Sequence, residues 1–369
     1  MPIRTIFAQI YIFYFFSRTL LKGYEKLLSC ALFLASIPFV SGNSPTISTF
    51  SESSITTNSA TVGANLDSYD GSDLPIISLY YDDEGNYSIS RPDYFIPMSF
   101  GSDLAFWLDA NDSHSIENTA GSISEWRDKS GNKLHVSQTN GSNQPVTGNS
   151  TQNGLNVVSF DGDDYLKRNS SNIDDYDQTW FLVFEVTTGS VASGGEGLIG
   201  YAGWSDGWHV RANNNSEFKG KLYKNGGALA STQFVNNQLT GYQLVAFSFD
   251  RTNTNYSSFR NGVVKDSQIT DTTALPANQL IRIFAGHNDS MNLTGQMAEV
   301  ICIRTVSVSS RERVEGYLAH KWGISSQLNS SHPYFSSAPT SNLPLREIGI
   351  GATGAGAFTE SLTGLLPGT

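Results

Sequence analysis

The hydrophobic residues of this chain fall mainly in short runs separated by Gly, Asn, Asp and Ser. Short runs in which β-branched and aromatic residues recur at close spacing between such turn formers predict strands. Runs of this kind span 104–108, 156–160, 179–186, 198–201, 220–223, 243–249, 281–285 and 296–305, and all carry β-branched or aromatic residues. Two more, 60–66 and 75–81, flank the turn-rich stretch DSYDGSD. Asn261-Gly262, between 258–260 and 263–265, predicts a two-residue hairpin, because a type I′ turn needs positive φ at both central residues and these two tolerate it. A single segment, 311–322, has helical spacing, with Val314, Leu318 and Trp322 on one face. Ser309 and Glu312 have the S-x-x-E spacing of a capping box, and Gly323 can supply the left-handed residue that stops the helix. The expectation is an all-β chain: a two-sheet antiparallel sandwich with one short C-terminal helix lying flat against it.

Four stretches narrow this picture: LAFWLDANDS, SEWRDKSGN, VVSFDGDDYL and EGYLAHKWGISSQLNSSHPYFSSAP. Together they resemble the laminin G-like, concanavalin A-like jelly rolls of secreted multidomain proteins, over 99–339. The resemblance implies adhesion, carbohydrate-binding or enzyme-accessory roles, a class and not a reaction. SATVGANLDSYDGSDLPIISLYYDDEGN resembles the first half of a fibronectin type III-like sandwich, and REIGIGATGAGAFTESLTGLLPGT its second half. The implied layout is a first half at 43–98, the jelly roll, and a second half at 340–369 that reads as truncated before its tyrosine-corner strand. Either the jelly roll is inserted into one module, or two unrelated partial modules flank it. Half a sandwich cannot bury its own face, and close termini make insertion easy.

The N-terminus changes the compartment. Basic residues, the apolar runs 6–16 and 27–40, and Val40-Ser41-Gly42 read as a secretory signal over 1–42. Each run is shorter than the ~20 residues of a membrane span, although an anchor is the alternative reading. The protein is therefore expected to be secreted, extracellular or at the cell surface, with no span in the mature chain. Cys30 would leave with the signal, and Cys302, in AEVICIRTV, reads as a buried strand position with nothing beside it to activate a thiol. The formal charge of -11 becomes more negative once the signal, with four basic residues and one acidic, is removed. An acidic surface repels nucleic acid and anionic membranes, leaving divalent cations, an extracellular glycan or a surface protein as partners.

The densest acidic stretch is Phe160-Asp161-Gly162-Asp163-Asp164-Tyr165. Ca²⁺ takes several oxygen ligands, and a Gly-bent acidic loop offers carboxylates and carbonyls together. The family resemblance implies an FDG-type loop whose calcium also meets an acid near the last strand, here Glu299. Ala298 stands where many relatives carry Asp, and the alternative for the loop is a solvated turn whose acids cap backbone amides. Asp109, Asn111, Asp112, Asp128, Asp174, Asp175 and Asp177 read mainly as turn capping. For glycan contact, Tyr201, Trp204 and Asp206 in YAGWSDGWHV combine flat aromatic faces with a carboxylate, while Trp208 reads as core. Catalytic signals are missing: no strand carries E-x-D-x-x-E, Glu125 and Asp128 are explained by an ion pair with Arg127, the six His are scattered, and no nucleophile-elbow, phosphate-loop or dinucleotide motif occurs. The expectation is a non-catalytic binding or adhesion module that takes carbohydrate or another extracellular ligand, assisted by Ca²⁺. The alternatives are a polysaccharide-active enzyme of the concanavalin A-like class and a structural spacer in a larger surface protein.

Overall fold

The computed structural model describes residues 95–340 except 96, 172, 174–176, 188–196, 203–206, 215–216, 225–226, 236–239, 270–278, 286–288 and 290–292, together with the backbone of strands within 11–81 and 346–363. The chain divides into two compact units, one being Phe95–Pro339 and the other Met1–Tyr94 with Thr340–Thr369.

Phe95–Pro339 is a two-sheet antiparallel sandwich. The first sheet holds β1 (Leu104–Asp109), β2 (Val158–Asp161), β3 (Gln178–Val186), β4 (Gln243–Asp250), β5 (Asn255–Arg260), β6 (Val263–Ile269) and β7 (Thr294–Ile303). Their order is β2-β7-β3-β4-β5-β6. One edge of β7 is shared, since β2 pairs with residues 294–297 and β1 with residues 299–303. The β7 ladder to β3 shifts register between Val183 and Phe184, where Val183 faces Glu299 and Phe184 faces Met297, so Ala298 is the extra residue of a bulge. The second sheet has nine strands, in the order Gly227–Val235, Glu217–Lys224, Gly207–Asn214, Gly197–Ala202, Gln279–Ile283, Leu166–Ser171, Val136–Ser137, Ser122–Trp126 and Ile116–Thr119.

Aromatic rings fill the space between the sheets. Trp180 of β3 lies 4.7 Å from Trp208 of the second sheet, Trp208 lies 5.4 Å from Phe249, and Phe249 stacks on Tyr256 at 4.7 Å. All four rings are buried, each contributing on the order of 1.5–3 kcal/mol through the area it removes from water. A Cβ on Gly220 would come within 2.2 Å of the Tyr256 hydroxyl and 2.7 Å of the Phe247 ring, so the absence of a side chain there lets the sheets approach. Cys302 is fully buried on β7, and burial pushes its thiol far above the usual range, as its strand pattern implies.

The outer face of the first sheet is covered by α1 (Val308–Lys321), which packs on β3 and β4. Val314, Leu318 and Trp322 are buried, as their spacing predicts. The start differs from the expected capping box: Ser307 is the N-cap, its hydroxyl accepting from the Ser310 N–H at 3.4 Å. Ser307 is still extended when the helix begins, so Ser309 falls inside the first turn and its hydroxyl meets that of Ser307 at 3.0 Å. Gly323, at φ +67°, closes the other end; the Ile324 N–H donates to the Ala319 carbonyl at 2.8 Å and the Gly323 N–H to that of His320 at 3.3 Å, the paired bonds of a Schellman motif.

The tail then turns back over the helix and reaches the predicted hairpin. Tyr334 packs where Gly316 has no side chain, and His320 Nε2 lies 2.8 Å from the Tyr334 carbonyl. Asn261 and Gly262 take φ of 51° and 77°, as a type I′ turn requires, and His332 covers Gly262. At the unit's ends the Phe95 N–H donates to the Pro339 carbonyl at 3.0 Å.

The other unit has two sheets. Ser59–Ser68 pairs with Thr46–Ser53 and Gly356–Thr363, and Ile76–Tyr81 pairs with Arg346–Gly351 and, in parallel, Tyr11–Arg18. Segments from before residue 95 and after residue 339 therefore share both sheets. Within the 1–42 stretch read as a leader, Tyr11–Arg18 pairs with Leu28–Ala35. Among the described residues no helix is long and apolar enough to cross a membrane.

Candidate functional site

The acidic loop follows β2 directly. Gly162 takes φ +114°, and a Cβ there would meet the Thr294 hydroxyl at 2.9 Å, so Gly alone suits this bend. Thr294, opposite Asp161 in the β2/β7 ladder, donates its hydroxyl to the Asp161 carbonyl at 3.1 Å. From the other side Asn143 fixes the loop, its amide donating to the Asp163 carbonyl at 2.8 Å while its own carbonyl accepts from the Tyr165 N–H at 3.1 Å. Within the loop, Asp161 Oδ1 accepts from the Asp163 N–H at 3.3 Å and Asp164 Oδ2 from the Asp161 N–H at 3.1 Å.

These bonds gather three carboxylates. Asp161, Asp163 and Asp164 each offer an oxygen, and the three oxygens lie within 4.8 Å of one another; among the described residues no other group of His, Cys, Asp and Glu is so placed. Asp161 and Asp163 are exposed and Asp164 is buried. Like charges this close cannot all ionise easily. The Asp161–Asp163 hydrogen bond lowers the first and raises the second, and burial, helped by the two neighbouring charges, pushes Asp164 up to about 7. The loop thus converges three carboxylates on one point, one of them pushed up by burial and its neighbours' charges.

Glu299 does not join this cluster. Asp161 is opposite Thr294, and Glu299 stands five residues further along β7, about 17 Å away at strand rise. There it faces Asp109 across the β1/β7 ladder, on the side covered by α1. Glu299 is fully buried and accepts from Trp107 Nε1 at 2.8 Å, Trp322 Nε1 at 2.8 Å and the Tyr317 hydroxyl at 3.0 Å. Lys321 bridges the facing carboxylates, 2.8 Å from Asp109 and 2.7 Å from Glu299, while Lys129 holds Asp109 at 3.3 Å and Asp112 at 2.9 Å. Burial raises Glu299 despite Lys321; the two lysines overcome the same burial effect at Asp109 and hold it below the ordinary carboxylate range. The bulge at Ala298 and the helix terminus bring these residues together, so Glu299 fastens α1 to the sheet and is closed to a metal at the loop.

Asp109 and Asp112 cap turns as expected, accepting from the N–H groups of Asn111 and His114, both at 3.1 Å, and also take part in this network. Asp128 caps its turn as expected, receiving the Ser130 N–H at 2.9 Å and hydroxyl at 2.8 Å and the Leu134 N–H at 3.0 Å, and it also accepts from the Trp107 N–H of β1 at 2.9 Å; the ion pair with Arg127, its other reading, is not formed. Arg127 pairs with Glu125 at 3.0 Å and Glu117 at 2.9 Å, so SEWRDKSGN is a structural turn joined to β1. Of the three residues expected to meet a glycan, Trp204 and Asp206 lie outside the described residues. Tyr201 sits on Gly197–Ala202, opposite Trp208 and Ile281 in the ladders, both of them core positions. Lysines were the missed residues: no sequence signal distinguishes Lys129 and Lys321 from exposed ones, apart from the acids that folding brings to them.

No family model matches the chain. No curated protein matches it. Solved structures do. It is similar to the binding domain of Paraclostridial Mosquitocidal Protein 1, with 12% identity, a TM-score of 0.42, and coverage of 59% of this chain and 53% of that one. It is also similar to a botulinum neurotoxin type C structure described by cell entry through two ganglioside molecules, at 13% identity and TM-score 0.44, covering 60% and 52%. A third is the CBM40 module of a Ruminococcus gnavus IT-sialidase bound to α2,3-sialyllactose, at 11% identity and TM-score 0.32, covering 39% and 95%. The chain spans about half the length of the mosquitocidal and neurotoxin structures it resembles.

Proposed function

We propose that the protein is a secreted, non-catalytic binding or adhesion module that engages an extracellular glycan or surface protein and holds Ca²⁺ at Asp161, Asp163 and Asp164. The acidic loop carries the reading: three carboxylates converge on one point, fixed by Gly162, Asn143 and Thr294, and one of them keeps a proton to about pH 7. A divalent cation replaces that proton and stiffens the loop against the edge of β7. The non-catalytic part rests on Asp109 and Glu299, the facing carboxylates of the first sheet: both are buried and bound by lysines and indoles, so neither can act on a substrate. In the same proposal the unit completed by Thr340–Thr369 is fibronectin-like and receives the sandwich as an insertion, consistent with the hydrogen-bonded ends at Phe95 and Pro339.

A glycan array probed with the full chain, with Ca²⁺ and with chelator, tests this, together with a reducing-sugar assay on the glycans bound. Chelator-sensitive binding without turnover is expected. Turnover would overturn the non-catalytic reading, and no binding to any glycan or cell surface would leave a structural spacer.

A further inference from the structure

Two lysines are buried among acids on the helix side of the first sheet, and one of them stands between two carboxyl groups in reacting geometry. Lys321, in the last turn of α1, brings its Nζ to 2.8 Å from Asp109 Oδ1 and 2.7 Å from Glu299 Oε2, and donates to the Tyr317 hydroxyl at 3.1 Å. Asp109 ends β1 and faces Glu299 of β7 across the ladder, so the sheet itself fixes the two acids. The side chains of Asp109, Glu299 and Lys321 are 9%, 0% and 16% exposed, and the rings of Trp322 and Tyr317 lie 5.2 and 5.4 Å from Nζ. An amine hydrogen-bonded to a carboxyl oxygen in so dry a place is close to the carboxyl carbon, near the separation of about 3–3.5 Å from which an oriented pair reacts far faster than a free one.

The two acids differ in a way that assigns their parts. Glu299 accepts from the indole N–H groups of Trp107 and Trp322, and burial raises it above the ordinary range, which makes it the stronger base. At Asp109 the two lysines outweigh burial and hold the carboxyl low. Lys129 Nζ lies 3.3 Å from Asp109 Oδ2, the oxygen on which negative charge grows when a nucleophile adds to Cγ, so Lys129 stabilises the adduct. Lys129 also meets two carboxylates, Asp109 and, at 2.9 Å, Asp112, but both are held low against burial, so neither takes its proton readily.

We propose that Lys321 and Asp109 condense once, after folding, into an intramolecular amide, with Glu299 as the base. The reactant is the Lys321–Asp109 ion pair. Glu299 takes a proton from the ammonium, the freed amine adds to Asp109 Cγ to form the Nζ–Cγ bond, and the Cγ–Oδ1 bond breaks. Oδ1 leaves as water with two of the three ammonium protons, one of them returned by Glu299, while the third stays on the amide nitrogen. Atoms and charge balance with no oxidant, metal or co-reactant. The step replaces two buried ions, each costly to desolvate, by one neutral amide. It ties the end of β1 to the end of α1 and closes a loop that holds most of the Phe95–Pro339 unit, restricting the unfolded chain as a disulfide does. The inference does not depend on the ligand proposed for the module.

Mass spectrometry of the full chain, intact under denaturing conditions and after digestion, tests this beside Lys321→Arg and Glu299→Gln. Read from its own N-terminus, the protein should weigh one water less than its sequence, and digestion should yield a branched peptide joining Asp109 to Lys321 with no tryptic cut after Lys321. Both variants should weigh what their sequences require, and Lys321→Arg, which keeps the charge but leaves the loop open, should migrate more slowly in a denaturing gel. Should a variant fail to fold, the digest of the unsubstituted chain decides. A mass equal to the sequence, water lost within one linear peptide as an Asp109 succinimide, a branch at Lys129, or water loss that persists in Lys321→Arg would overturn the cross-link. A branched peptide formed equally well in Glu299→Gln would overturn the part given to Glu299.

Discussion

Replacing Lys321 by Met removes the cation between two buried carboxylates while keeping most of the side-chain volume. Asp109 and Glu299 face each other across β1 and β7, at 6% and 0% exposure, and Lys321 lies within 2.8 Å of both. Taking one partner from a buried ion pair costs about 3–5 kcal/mol. Here Lys129 still holds Asp109, and two indole N–H groups with the Tyr317 hydroxyl still reach Glu299, which favours the lower end, about 3 kcal/mol. For a unit of this size that corresponds to a fall of about 6–12 °C in melting temperature. The loss should depend on pH. The folded pKa of Glu299 is already above its ordinary value, and loss of Lys321 raises it further. Between the unfolded and folded pKa values the folded state binds a proton that the unfolded chain does not, so stability falls as pH rises. Urea denaturation at pH 5 and pH 8 should therefore show the larger deficit at pH 8. Glu299→Gln in the Lys321→Met background should recover part of it, with a coupling energy of about 1–3 kcal/mol. A loss within about 0.5 kcal/mol, or a deficit identical at both pH values, would refute the reasoning.

Four further outcomes follow from the geometry. Because Asp164 keeps its proton to about pH 7, Ca²⁺ affinity measured by calorimetry should rise from pH 6 to pH 8, and Asp164→Asn should weaken binding and flatten that rise. Without metal, the stability that protonated Asp164 lends should be present at pH 4 and lost as pH passes 7, a trend absent from thermal melts of Asp164→Asn. Gly220→Ala should cost about 1–3 kcal/mol in chemical denaturation, since the new methyl falls on the Tyr256 hydroxyl and Phe247 ring. Asp128→Ala should cost about 3 kcal/mol or more by the same measurement, because three backbone N–H groups and a hydroxyl lose one acceptor, with Asp128→Asn intermediate.

What the sequence determined by itself was local. Short runs of β-branched and aromatic residues between turn formers predict the strands of the first sheet to within a few residues, and these strands are buried on both faces, between the second sheet and α1. Asn261-Gly262 and Gly323 mark the hairpin and the helix stop through the φ values they tolerate, and Val314, Leu318 and Trp322 identify the buried helix face. The acidic loop was also legible, since its three carboxylates are neighbours along the chain. Tertiary structure decided everything that depends on register. A bulge at Ala298 and the end of α1 turn Glu299 from an expected metal ligand into the acceptor of Lys321 and two indoles. Asp128 became an acceptor for β1 and its own turn because β1, twenty-one residues earlier, lies beside it. Asp109 and Lys321 stand far apart in the sequence and meet only once β1, β7 and the end of α1 have packed together. Turn and cap preferences act over a few residues and can be read from them, whereas ion pairing and surface charge depend on distances that only the folded chain defines.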